Sequence, residues 1–174
     1  MPAPATVTDA RSVAETRLTN LAAATLVDAP STVPVIRSLL RASAYPTAGP
    51  DGAVTYPAVV ESVHDGDTIR VIGLVREGLA DDAESARLVR VTVRLAGINT
   101  PELNDADPGD RARAREARDR LRQLAPAGAL VTVTDRGREK YGRTLADITL
   151  HRGGSVAATL IAEGHGKPYA GGAR

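Results

Sequence analysis

Two acids, an amide and two arginines carry the chemistry legible in this chain. Asp65-Gly66-Asp67-Thr68 lies between two strand-like runs, so it is first of all a hairpin turn. Such a turn needs only one Asp, and Asp67 is left free to point elsewhere. Asn99-Thr100-Pro101-Glu102 follows another strand-like run, with Pro101 fixing the loop. A carboxylate, an amide oxygen and a second carboxylate are hard oxygen donors, suited to Ca²⁺ or Mg²⁺ rather than zinc. Arg94 and Arg143 lie on or beside strands. Arginine is a natural partner for a phosphate that gains charge during displacement. Acids with arginines point to phosphoryl chemistry, but Asp, Glu and Arg also pair on most protein surfaces, and the side chains alone leave both readings open.

The elements that must position these residues are mostly short strands. Val54 to Val63 is rich in strand-forming residues, and Thr68 to Val75 alternates, with Ile69, Val71 and Gly73 on one side and Arg70 and Ile72 on the other. Leu88 to Ile98 places Val89, Val91, Val93 and Leu95 on one face and Arg90, Thr92 and Arg94 opposite, the period-two pattern of a half-buried strand. Asp107-Pro108 opens a helix as N-cap and first-turn Pro, with Asp110 three residues after the cap. That helix is expected to run to about Leu124, stopped by Pro126 and Gly128, with a surface of arginines (Arg111, Arg113, Arg115, Arg118, Arg120 and Arg122) read as a solvated face. Leu130 to Thr134 and Leu145 to Leu150 read as two more strands, and Ser155 to Glu163 as a short helix ended by Gly164. Five short strands with an inserted helix predict an α+β, mainly β architecture: a five-stranded OB-fold barrel with two or three helices.

In order, Asp65-Gly66-Asp67-Thr68, Arg94-Leu95-Ala96-Gly97-Ile98-Asn99-Thr100-Pro101-Glu102, Lys140-Tyr141-Gly142-Arg143 and a helix ending in Glu163-Gly164-His165 resemble the staphylococcal nuclease family. The resemblance covers about Val54 to Tyr169. It implies an OB barrel that hydrolyses DNA and RNA with Ca²⁺ and leaves 3′-phosphates. On it, Asp67 matches a metal-ligand Asp, Asn99 stands where a second ligand Asp often stands, and Thr100 offers its backbone carbonyl to the metal. Glu102 matches the residue that positions or deprotonates the attacking water. Arg94 and Arg143 match the arginines that clamp the phosphate, Tyr141 lies near the nucleotide, and Tyr169 lies along the nucleic-acid strand. The chain departs from the family at Asn99, where an amide replaces an acid and removes one negative charge. Because ligand charge tunes calcium affinity, metal binding weaker than in an Asp-bearing relative is expected. A nucleic-acid-binding OB module with weakened catalysis is the competing reading, and Asn99 is the feature in its favour. Against it, such binders stack bases on aromatics, which are scarce here.

Composition sets the outer limits. The 174 residues include no Cys, Phe or Trp and four Tyr, so thiolate chemistry is excluded and the core is to be built from Val, Leu, Ile and Ala. Basic residues outnumber acidic ones by 22 to 21, so a nucleic-acid site has to be a local basic patch. Residues 1–50 differ from the rest. Helical spacing of Ala14, Leu18, Leu21 and Leu26, then of Ile36, Leu39 and Leu40, predicts a helical extension joined by the turn-rich Tyr45 to Gly52 linker to a domain over 51–174. An uncovered apolar face on that arm would allow self-association. Met1-Pro2-Ala3-Pro4 lacks the basic and apolar regions of a secretory signal, no stretch reaches the length of a membrane span, and a cytoplasmic, non-membrane setting is expected.

Overall fold

The computed structural model describes residues 47–48, 53–76 and 86–170. The expected helical arm, with Leu18, Leu21 and Leu26, and the acid-bearing loop with Asp81, Asp82 and Glu84 lie outside the described residues. In chain order the elements are β1 (Thr47–Ala48), β2 (Val54–Val63), β3 (Thr68–Arg76), β4 (Ala86–Leu95), β5 (Ile98–Asn99), α1 (Pro108–Leu124), β6 (Leu130–Arg138), β7 (Thr144–Leu150), α2 (Val156–Ala162) and β8 (Lys167–Pro168).

The sheet closes on itself. β2 pairs antiparallel with β3 and β3 with β4, β4 runs parallel to β7, β7 pairs antiparallel with β6, and β6 returns to β2. Five strands thus form a mixed barrel with α1 inserted between its third and fourth strands, in agreement with the OB architecture expected from the strand pattern. Closure depends on β2 serving two partners. Its first half, Val54 to Val59, pairs with β6, and its second half, Ala58 to Val63, with β3. The register shift between Val60 and Ser62 is a bulge, which bends the strand and increases its local twist.

The alternating strand residues fill the barrel. Tyr56, Val60, Ile69, Val71, Val93, Leu95, Val133 and Ile148 share one core with Leu121 of α1 and Leu160 of α2. With no Phe or Trp available, Tyr56 is the largest group in it. The ring lies across Gly73, where a Cβ would come within 2.6 Å of it. Burial, reinforced by nearby Asp135, pushes the Tyr56 phenol up to about 12. Both helices begin as their caps dictate: the Asp107 side chain accepts from the Asp110 N–H at 2.9 Å, and the Ser155 hydroxyl accepts from the Ala158 N–H at 3.3 Å. Arg120 of α1 then clamps Glu163, at the end of α2, with two hydrogen bonds of 2.6 Å.

Two strand limits differ from expectation. The run expected as one strand from Leu88 to Ile98 breaks at Ala96-Gly97, where Gly97 takes a φ of +77°, and Ile98–Asn99 forms a separate ribbon with β8. β6 continues past Thr134 to Arg138 through a register shift. The segment Asp135-Arg136-Gly137-Arg138 has no apolar alternation, so only the ladder itself marks it as strand.

Candidate functional site

The β2–β3 hairpin builds one side of the site. Asp65 accepts the Asp67 N–H at 3.2 Å, closing an Asx turn that holds the loop without using the Asp67 side chain. The Asp67 carbonyl accepts from the Leu95 N–H at 2.8 Å, fixing the turn to the end of β4. Gly66 allows close packing here: a Cβ at this position would lie 2.8 Å from both Ala117 Cβ of α1 and Thr100 Oγ1. α1 therefore presses the turn onto the segment that follows β5.

That packing turns the Asp67 carboxylate inward, where its side chain is 10% exposed. Oδ2 accepts from Arg94 Nη2 at 3.0 Å and from the Thr100 N–H at 3.2 Å, while Oδ1 accepts from the Thr68 hydroxyl at 3.2 Å. Arg94 Nη2 also donates to Asn99 Oδ1 at 3.2 Å, and Nη1 donates to the Leu95 carbonyl at 3.0 Å. Burial raises the Asp67 carboxyl to about 6, with Asp65 adding to the rise, although Arg94 and the Thr100 N–H pull the other way.

The second arginine comes from the β6–β7 hairpin. Gly142, at a φ of +82°, permits the turn, and Glu139 and Arg143 close it through the Glu139 N–H and the Arg143 carbonyl at 3.0 Å. Glu139 Oε1 accepts from the Arg143 backbone N–H at 3.2 Å and from Nε at 3.1 Å. Burial alone would raise the Glu139 carboxyl, but these hydrogen bonds carry it below its ordinary value. Arg143 Nη1 reaches across to donate to the Thr68 hydroxyl at 3.2 Å. Tyr141 stands 73% exposed at the hairpin tip, with Lys140 Nζ at 4.9 Å and Arg143 Cζ at 5.9 Å from the ring centroid.

The residues singled out in the sequence thus gather around one cluster and one neighbouring cleft. Asp67, Arg94, Asn99 and Thr100 are in direct contact, and Arg143 joins them through Thr68. Glu102 and Tyr169 line an adjoining cleft of about 730 Å³, walled also by Asn99, Thr100, His165 and Lys167. Tyr141 stands beside Arg143 at the tip of the β6–β7 hairpin and does not line that cleft. Asp65 closes the turn, and the Asp67 carboxylate contacts Arg94, Thr68 and Thr100 instead. Two residues were missed. Thr68 is buried and bridges an acid to an arginine. Glu139 holds Arg143 from its other side. No local signal marks the role of Thr68, because Thr68 and Arg143 are 75 positions apart, whereas Glu139 stands only four positions before Arg143.

The side-chain acceptors gathered here are oxygens, the donor type that a hard cation takes. Asp67 Oδ2 and Asn99 Oδ1 both lie within hydrogen-bond reach of a single positive nitrogen, Arg94 Nη2, so the fold already aims two oxygens at one positive centre. Only one of the two is a carboxylate, and Thr100 presents its N–H to Asp67. Among the described residues no three or more His, Cys, Asp or Glu stand together as a metal cluster.

Residues 92–171 match the family described as staphylococcal nuclease homologue. That part of the chain is similar to staphylococcal nuclease homologues. The matched stretch contains the Arg94 to Glu102 segment, the Lys140 to Arg143 turn and the tail. Asp67, upstream of it, is bound to it through Arg94 and Thr100. Endonuclease YhcR of Bacillus subtilis (strain 168) is 26% identical over 129 residues, covering 70% of this chain and 10% of the relative. The chain thus spans about a tenth of the length of the nuclease it is similar to.

Proposed function

We propose that this chain hydrolyses phosphodiester bonds of DNA or RNA without sugar specificity, by calcium-assisted attack of water. The observation that carries this reading is the convergence of Arg94 and Arg143 on the Asp67–Thr68 pair, beside the cleft that holds Glu102. Calcium would be held by Asp67, Asn99 and the Thr100 carbonyl, where it neutralises phosphate charge and orients water. Glu102 accepts the proton of the attacking water. Arg143 and Arg94 donate to phosphate oxygens as negative charge builds on them. The new bond joins the water oxygen to phosphorus, the bond to the 5′-oxygen breaks, that oxygen takes a proton from solvent, and the products are a 3′-phosphate and a 5′-hydroxyl. Tyr141 would meet the nucleotide from the hairpin tip beside Arg143, and Tyr169 would border the strand in the cleft.

A second reading has a specific observation behind it. Arg94 already neutralises Asp67, and Asn99 adds no charge, so the cluster can hold a phosphate without cutting it. Incubation of single-stranded DNA and of RNA with the protein in Ca²⁺ or in EDTA separates the two. Calcium-dependent cleavage of both polymers is expected, with 3′-phosphate ends. Tight binding with no cleavage at millimolar Ca²⁺ would establish the binding module instead.

A further inference from the structure

The chemistry above gives the Thr68 hydroxyl no step of its own, yet it links Arg143 to Asp67, whose other oxygen is held by Arg94. It is 2% exposed, opens β3, and is paired in register with Arg94 of β4. Its hydroxyl has one proton and can accept in return. An ionised Asp67 can only accept, and a guanidinium can only donate. The proton therefore goes to Asp67 Oδ1 at 3.2 Å, and the oxygen accepts from Arg143 Nη1, also at 3.2 Å. Glu139 holds Nε of the same guanidinium. With Nε and Nη1 both held, the group cannot rotate freely, and Nη2, which no described residue holds, can meet a phosphate oxygen.

We propose that Thr68 is the positioning residue that sets Arg143 against Asp67, so that the phosphate-facing arginine of the β6–β7 hairpin is aligned with the acid of the β2–β3 hairpin before substrate arrives. The proposal rests on the phosphodiesterase reading for its kinetic consequence, but not for its structural one. Thr68→Val keeps the branched shape and removes the hydroxyl, whereas Thr68→Ser keeps the hydroxyl.

The test compares both variants with wild type in two measurements. In cleavage of single-stranded DNA, Thr68→Val is expected to lower kcat/KM about ten- to a hundredfold, the range for a hydrogen bond to a charged group, mainly through kcat. Thr68→Ser is expected to recover most of this, and Thr68→Val added to Arg143→Ala is expected to cost less than about twofold more, since residues acting as a unit are non-additive. In ¹⁵N NMR of the free protein, the Arg143 Nη resonances should be resolved in wild type and Thr68→Ser and merged in Thr68→Val. Thr68→Ala serves in both arms should the Val variant not fold. Unchanged Arg143 resonances in the hydroxyl-free variant, or a full additional loss in the Arg143→Ala background, would overturn the proposal. Absence of cleavage by wild type would overturn the phosphodiesterase reading, and the Arg143 resonances would still decide the role of Thr68.

Discussion

Asp67 shows what a fold imposes on a single acid to make it useful. Its carboxyl rises from 3.8 to about 6 because burial removes it from water, and the raised value has a sign for stability. Below about 3.8 the group is protonated in the folded and unfolded chain alike. Between about 3.8 and about 6 the folded chain keeps a proton that the unfolded chain has released, so stability falls as pH rises through that window and is level above it. Relative to wild type, Asp67→Asn should therefore gain on the order of 1–3 kcal/mol between pH 4 and pH 7, read from urea unfolding at the two pH values; a pH-independent difference would contradict the burial account. Asn99 is the complementary case: in the proposed calcium site it is a ligand position short of one charge. Asn99→Asp should lower the Ca²⁺ concentration for half-maximal cleavage roughly tenfold, as added ligand charge does in oxygen-donor sites. An unchanged calcium dependence would remove Asn99 from the metal set. The types of both residues, and their order along the chain, were readable from sequence. The contacts were not, since Asp67 meets Thr100 from 33 positions away and only the closed barrel brings them together.

At the scale of elements, glycines govern how closely the parts approach. Gly66→Ala would place a methyl 2.8 Å from Ala117 and Thr100, forcing the hairpin off α1. It should cost about 1–3 kcal/mol and reduce cleavage by moving Asp67. Gly73→Ala would drive a methyl to within 2.6 Å of the Tyr56 ring, destabilising by a similar amount with cleavage at permissive temperature retained. Thermal unfolding and activity measured together distinguish the two, and equal activity losses would contradict the placement of Gly66 under the site. The helices and the first strands were legible because their signals are local: Asp107-Pro108 starts α1, Ser155 starts α2, and the Val rows alternate. The break of the third barrel strand at Gly97 and the extension of β6 to Arg138 were not legible. The first depends on pairing with the distant β8, and the second on a register shift within the β6–β7 hairpin that no apolar alternation announces.

For the molecule as a whole, the strand count predicted a barrel, but closure itself is a non-local fact. It comes from β6 returning to β2 and from the parallel contact of β4 with β7, neither of which leaves a mark in any one segment. Closure also makes the candidate site, because the β2–β3 hairpin, the end of β4 and the β6–β7 hairpin are sequence-distant pieces of one ring. No helix among the described residues is long and apolar enough to cross a membrane. The central claim is that this ring positions an acid, a water-activating Glu and two arginines for phosphodiester hydrolysis. Its most direct test is the rate of single-stranded DNA cleavage in millimolar Ca²⁺ by wild type, Glu102→Gln and Arg143→Ala, with DNA binding measured in parallel. The predicted result is cleavage that stops in EDTA and falls at least about a hundredfold in each variant, as removal of a general base or a charge-stabilising donor does, while Glu102→Gln still binds DNA. Cleavage by Glu102→Gln at the wild-type rate, or DNA binding without cleavage by wild type, would contradict it.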